Sequence, residues 1–166
     1  MWPFKKKKEL CGIRGDGKGA YTFELTEEEE EWVNAELSVF QGSGIHKDYY
    51  EEIKRCSLAR SLVTYSSSQK SNALCADDKS RQKECFDKAI AAMTKSLSIN
   101  PLPIYYYALA ELFTLANRKD IAVDVYKKFL EEQSRFSPSV IEKVMLAEWD
   151  VEEAIRTATS ILSSGR

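Results

Sequence analysis

The chain is 166 residues long, with 43% hydrophobic and 30% charged residues, a size at which one domain buries about two thirds of its unfolded surface without covalent staples. A formal net charge of -2 argues against a general nucleic-acid binder, and four cysteines are too few for a disulfide scaffold. No stretch approaches the ~18 apolar residues that a membrane-spanning helix needs.

Residues 1–25 read as a basic, glycine-rich extension, and residues 26–166 as a helical domain. Trp2 and Phe4 precede Lys5, Lys6, Lys7 and Lys8, the reverse of a secretory signal, where charge comes first and an apolar run follows. Together with Arg14 and Lys18, less Glu9 and Asp16, these lysines leave residues 1–18 at +4. Such a segment suits a weak, salt-sensitive contact with an anionic membrane surface, a contact with the acidic stretch at 24–31, or a solubilising tail. Tyr21, Phe23 and Leu25 alternate with Thr22 and Glu24, and the alternation predicts a hairpin turning near Asp16-Gly17. Gly12 to Gly19 imitates a phosphate-cradling loop. No buried strand precedes it, however, and Gly19 stands where a magnesium-binding hydroxyl belongs. Arg14-Gly15-Asp16 is a chance match to an adhesion tripeptide.

From Thr26 the chain speaks helix. Thr26 with Glu29 forms a capping box, acidic residues 27–31 suit a solvated helix N-terminus, and Trp32, Leu37 and Phe40 face inward up to Gly42. A second helix spans 48–66 through Tyr50, Ile53, Leu58, Leu62 and Tyr65, and the serine-rich stretch 66–72 reads as loop or frayed end. A helical turn at 73–76 and a charged segment at 77–84 lead into a long helix over 81–99. Its apolar face holds Phe86, Ala89, Ile90, Met93, Leu97 and Ile99, and Asn100-Pro101 stops it. Pro103 opens the next helix through Leu109, Phe113 and Ala116. Asn117 with Asp120 marks another start, carrying Ile121, Ala122, Val125, Tyr126 and Phe129. Ser137-Pro138 opens a short helix with Ile141, Val144 and Met145. Asp150 with Glu153 caps the last, which buries Ala154, Ile155, Ala158 and Leu162.

Little here points to chemistry. Cys11, Cys56, Cys75 and Cys85 lack Cys-x-x-Cys spacing, and His46 is the sole histidine, so neither a zinc site nor a His-based triad is expected. The reading is of reduced thiols in a cytoplasmic protein, with peripheral contact at the inner membrane face through the N-terminus as an accompanying expectation. No enzyme activity, cofactor or metal is expected.

Ala89, Ala122 and Ala154 recur at separations of 33 and 32, each in the second helix of a proposed pair. Small residues are needed where two helix backbones approach closely. Tyr106, Leu109, Ala110, Phe113, Ala122, Tyr126 and Phe129 carry the spaced aromatic, leucine and small positions of a family, and this segment resembles a tetratricopeptide repeat. Asn117 takes the inter-helix glycine position as a left-handed alternative, while Lys119 and Phe129 depart from the pattern. Residues 81–101 fit through Phe86, Ala89, Leu97 and Pro101, with 48–66 as partner helix across an unusually long loop. Residues 138–165 fit in outline through Ile141, Met145 and Ala154. The alternative is an ordinary helical bundle whose alanines recur by chance.

The resemblance implies an all-α, right-handed antiparallel array of about seven helices with a concave face lined by the first helix of each pair. It places Ile104, Tyr107, Glu111 and Thr114 of the central repeat, and Ser139, Lys143 and Leu146 of the last, on that face. Tyr107 and Glu111 stand where members that clamp a partner's terminal carboxylate carry lysine and asparagine, so that clamp is absent. Tyr105-Tyr106-Tyr107 suits a contact surface, although three successive helical residues span about 200°, which leaves at least one of them in the core. The expected function is a non-catalytic interaction module, an adaptor or small chaperone that grips a protein partner, with no nucleic acid involved. The alternative expectations are a membrane-surface component acting through Trp2, Phe4 and Lys5 to Lys8, and a nucleotide-dependent enzyme.

Overall fold

The structure is a computed structural model, which describes residues 13–15, 21–23, 27–28, 31 and 50–164. Two short strands, β1 (Ile13–Gly15) and β2 (Tyr21–Phe23), pair antiparallel with Ile13 opposite Phe23 and Gly15 opposite Tyr21. The hairpin expected from the alternation is therefore present; its turn lies outside the described residues. Six helices follow: α1 (Tyr50–Leu74), α2 (Lys79–Ile99), α3 (Pro103–Leu115), α4 (Lys119–Arg135), α5 (Val140–Leu146) and α6 (Val151–Ser164). Of the helix expected over residues 26–41, Glu27, Glu28 and Glu31 are helical, and Trp32, Leu37 and Phe40 lie outside the described residues.

The helices pack in pairs, an arrangement compatible with a helical repeat. α1 lies along α2 and α3 along α4, while α2 against α3 joins the two pairs; α6 rests on α4 and α3, and α5 reaches back to α1.

Small side chains govern the first pair. α1 buries Ser57, Ala59, Ser61, Ser66 and Ala73 among Leu62, Val63 and Tyr65, and α2 buries Ala89, Ala92 and Ser96. The Ser66 hydroxyl donates to the Ala89 carbonyl of α2 at 2.8 Å, a contact that only a close approach of the two backbones allows. Of the two readings of 66–72, loop or frayed helix end, the loop is excluded: the helix continues to Leu74. The helix tolerates serine there because packing against α2 sustains it, while the Ser66 hydroxyl is satisfied by the neighbouring helix and that of Ser71 by the Ser67 carbonyl at 3.1 Å. The connection between the pair shrinks accordingly to Cys75–Asp78, not the long loop expected. Asp78 caps α2 by accepting from the Arg81 amide at 2.9 Å.

Asn100 ends α2 in extended backbone, buried, with its side-chain amide 3.4 Å from Cys56 Sγ. Pro101 cannot continue the helix, and Pro103 starts α3 at a first-turn position, where its missing donor costs nothing. Between α3 and α4 the Arg118 amide reaches the Phe113 carbonyl at 2.8 Å and the Asn117 amide reaches Thr114 at 3.0 Å. That is a Schellman closure, and Asn117 sits in its left-handed position with φ 57°. Asn117 thus terminates α3, as the glycine-like reading expects, and does not cap α4, whose N-cap is Arg118.

Two further expectations shift. α5 is capped by Ser139, two residues past Ser137, in a full capping box with Glu142. In α6, Asp150 does cap, accepting from Glu153 at 2.9 Å, and Ala154 and Ala158 are buried, but Ile155 is exposed and Leu162 only half-buried. The core joins Leu62, Phe86, Ile90, Met93, Ile99, Leu102, Leu109, Leu112, Phe113, Val125 and Phe129. Ala89, Ala122 and Ala154 all belong to it.

Candidate protein-docking cleft

Helical spacing puts Arg60, Val63, Thr64 and Ser67 on one face of α1, at intervals of three and four. Opposite stands Tyr105 in the first turn of α3, buried under this face. Met145 from the end of α5, then Glu148 and Trp149 from the turn before α6, close the third side. Together they line a cleft of about 300 Å³. Trp149 and Tyr105 meet with ring centres 6.2 Å apart and planes tilted by 59°. Arg60 and Glu148 form an ion pair across the rim.

The two charges lining the cleft neutralise each other at its exposed edge, where such a pair contributes less than about 1 kcal/mol. The Thr64 hydroxyl already donates to the Arg60 carbonyl at 3.1 Å. Burial pushes the Tyr105 phenol well above its ordinary value, aided by the nearby Cys56 and opposed by Arg60. What lines the hollow is thus the rings of Tyr105 and Trp149, the Met145 thioether and Val63, with the Thr64 and Ser67 hydroxyls and the mutually neutralised Arg60–Glu148 pair among them. This surface suits an apolar side chain offered by a partner, and Met145 can adapt its shape to what enters.

α5 is held lightly. None of its residues is buried; Val140 is 74% and Val144 69% exposed. Beyond the Arg60–Glu148 pair, the Ser139 hydroxyl donates to Glu52 of α1.

The residues expected on the inner face distribute differently. Ile104 is fully buried and has no surface to offer. Tyr107 turns toward α4, edge-on to Tyr126 at 5.8 Å and Phe129 at 5.5 Å, with its hydroxyl beside Thr157 of α6 and Glu111. Burial, with the Glu111 carboxylate beside it, pushes this phenol up to about 12. Thr114 is exposed, its hydroxyl on the Ala110 carbonyl at 2.9 Å. Ser139 caps α5, Lys143 is exposed and Leu146 packs against the core. The structure so brings Tyr107, Glu111 and Thr114 together on the α4 and α6 side, away from Tyr105. Tyr105 lies in the tyrosine run read as a contact surface, whereas Arg60 and Trp149 were not singled out by sequence; the face formed by residues 60, 63, 64 and 67 was the available signal for Arg60.

Trp2, Phe4 and Lys5 to Lys8 lie outside the described residues. Among the described residues no helix is long and apolar enough to cross a membrane, and no group of His, Cys, Asp or Glu could hold a metal ion. The chain matches no protein-family model, and no curated protein or solved structure is significantly similar to it.

Proposed function

We propose that the chain is a non-catalytic protein-docking module, an adaptor or small chaperone. Its helices follow the tetratricopeptide-repeat plan, and its cleft between α1, α3 and α5 receives an apolar anchor from a partner protein. The observation that carries this reading is that α1 and α3, the first helices of successive pairs, each give one wall to the same hollow, with Tyr105 at its base. A volume of about 300 Å³ lies at the small end of binding pockets and matches one or two side chains better than a cofactor. Aromatic and methionine linings are also typical of the centres of docking surfaces.

Site-specific photocrosslinking tests the proposal. A photoreactive residue at Met145 should trap a discrete partner in native extract, whereas one at the exposed Lys127 of α4 should not. Trp149→Ala should abolish the Met145 adduct. Equal labelling from both positions, or an adduct indifferent to Trp149, would remove the cleft from consideration.

A further inference from the structure

Tyr65 and Gln69 stand four residues apart on α1, on the side of the helix away from Ser67 and the docking cleft. Both side chains are almost wholly buried, at 2% and 4% exposure. Their polar ends nevertheless surface at one point, where each serves a different oxygen of the same carboxylate. Tyr65 Oη donates to Glu28 Oε2 at 3.3 Å and Gln69 Nε2 donates to Glu28 Oε1 at 3.1 Å. Lys88 of α2 adds a positive charge 3.9 Å from Oε2, and is itself anchored by Glu84 at 3.2 Å. Glu28 is thus solvated, as expected of the acidic start at 27–31, yet also engages α1 and α2.

The geometry selects for a carboxylate. Two buried side chains from one helix and a cation from the next converge on this group; an amide there could still accept from Gln69 and donate to the Tyr65 hydroxyl, but it would lose the negative charge that faces Lys88. A buried glutamine must be satisfied, and an apolar residue would fill its position without that demand. Glu28, in contrast, remains half-exposed, with 50% of its side chain accessible, so water and competitors reach the contact.

We propose that Tyr65, Gln69 and Lys88 form a carboxylate receptor for an acidic helix. Glu28 is its internal occupant, and an equivalent acidic segment presented in trans displaces it. Glu28 then acts as a removable occupant of this face of α1 and α2. The receptor does not depend on the docking cleft, which uses other residues.

The test uses the isotopically labelled full chain and a synthetic peptide of residues 22–34 as probe. Glu28→Gln should shift the Gln69 side-chain amide resonances and empty the receptor, so that the peptide binds this variant at least tenfold more tightly than the unaltered chain. Adding Lys88→Glu, an exposed position that does not threaten folding, should cancel the gain. A peptide carrying glutamine in place of Glu28 should not bind. Equal affinity for the unaltered and Glu28→Gln chains, or tight binding that survives Lys88→Glu, overturns the proposal.

Discussion

Trp149, in the turn between α5 and α6, packs its ring against Tyr105 of α3, 44 positions earlier in the chain. This contact fastens the C-terminal helices to the first two pairs, because α5 buries nothing and α6 buries only Ala154 and Ala158. Trp149→Ala should cost about 2 kcal/mol, below the range for a fully buried tryptophan because Trp149 is half-buried. Urea unfolding measures the loss. Amide exchange should accelerate in α5 before it does in α1 to α4, and Trp149→Phe should recover most of the stability.

The recurring alanines supply a second prediction. Ala89, Ala122 and Ala154 are 0%, 2% and 3% exposed, so their small size is what the helix crossings require. Leucine at any one of them should force the crossing apart and destabilise by about 1 to 3 kcal/mol. Leucine at the exposed Ser98 of α2 should stay within about 0.5 kcal/mol. Thermal melts of the four variants compare them directly. Indifference to Ala122→Leu would show that the recurrence is accidental.

Asn117 holds φ 57° at the α3–α4 closure. Glycine there should be neutral or slightly stabilising, because it enters the left-handed region without steric penalty. Valine should lose at least about 1 kcal/mol, since its branched Cβ clashes with the following carbonyl. Equilibrium unfolding of Asn117→Gly and Asn117→Val reads the difference. Both variants leave the cleft lining untouched, so partner capture should persist.

The ends of most helices were legible because each carries a local chemical signal: Pro103 opening α3, Asn100-Pro101 closing α2, Asp150 capping α6. Ser66 to Asn72 read as either loop or frayed helix end for the opposite reason. Serine is frequent in loops, and nothing local distinguishes a serine exposed to water from one packed against Ala89 of another helix. The site was less legible still. Tyr105, Tyr106 and Tyr107 are adjacent in sequence, yet Tyr105 faces α1 and Trp149 while Tyr107 faces α4 and α6. Which tyrosine meets the hollow depends on how the pairs stack, a long-range property. Glu28 was lost in a run of five equivalent glutamates, and only the donors on α1 single it out.

Alkaline pH should expose the buried acids. Burial pushes the Cys56 thiol up from 9.0 to about 11, with Arg55 alongside opposing the rise. The same cause raises Tyr107 from 10.0 to about 12. For both groups the folded chain holds its proton more tightly than the unfolded chain does. Their contribution is therefore complete below pH 9 and is lost as pH climbs through the folded values, first Cys56 between 9 and 11, then Tyr107 between 10 and 12. A shift of two units corresponds to about 2 to 3 kcal/mol for the wholly buried Cys56. Tyr107, half-buried, should contribute less. Denaturant midpoints at pH 8 and pH 10.5 should fall accordingly, and Cys56→Ala should flatten the part of the decline that begins at pH 9. Thiol labelling at pH 8 offers an independent check: exposed Cys75 should react rapidly, and Cys56, kept protonated and covered by Asn100, should react only on unfolding.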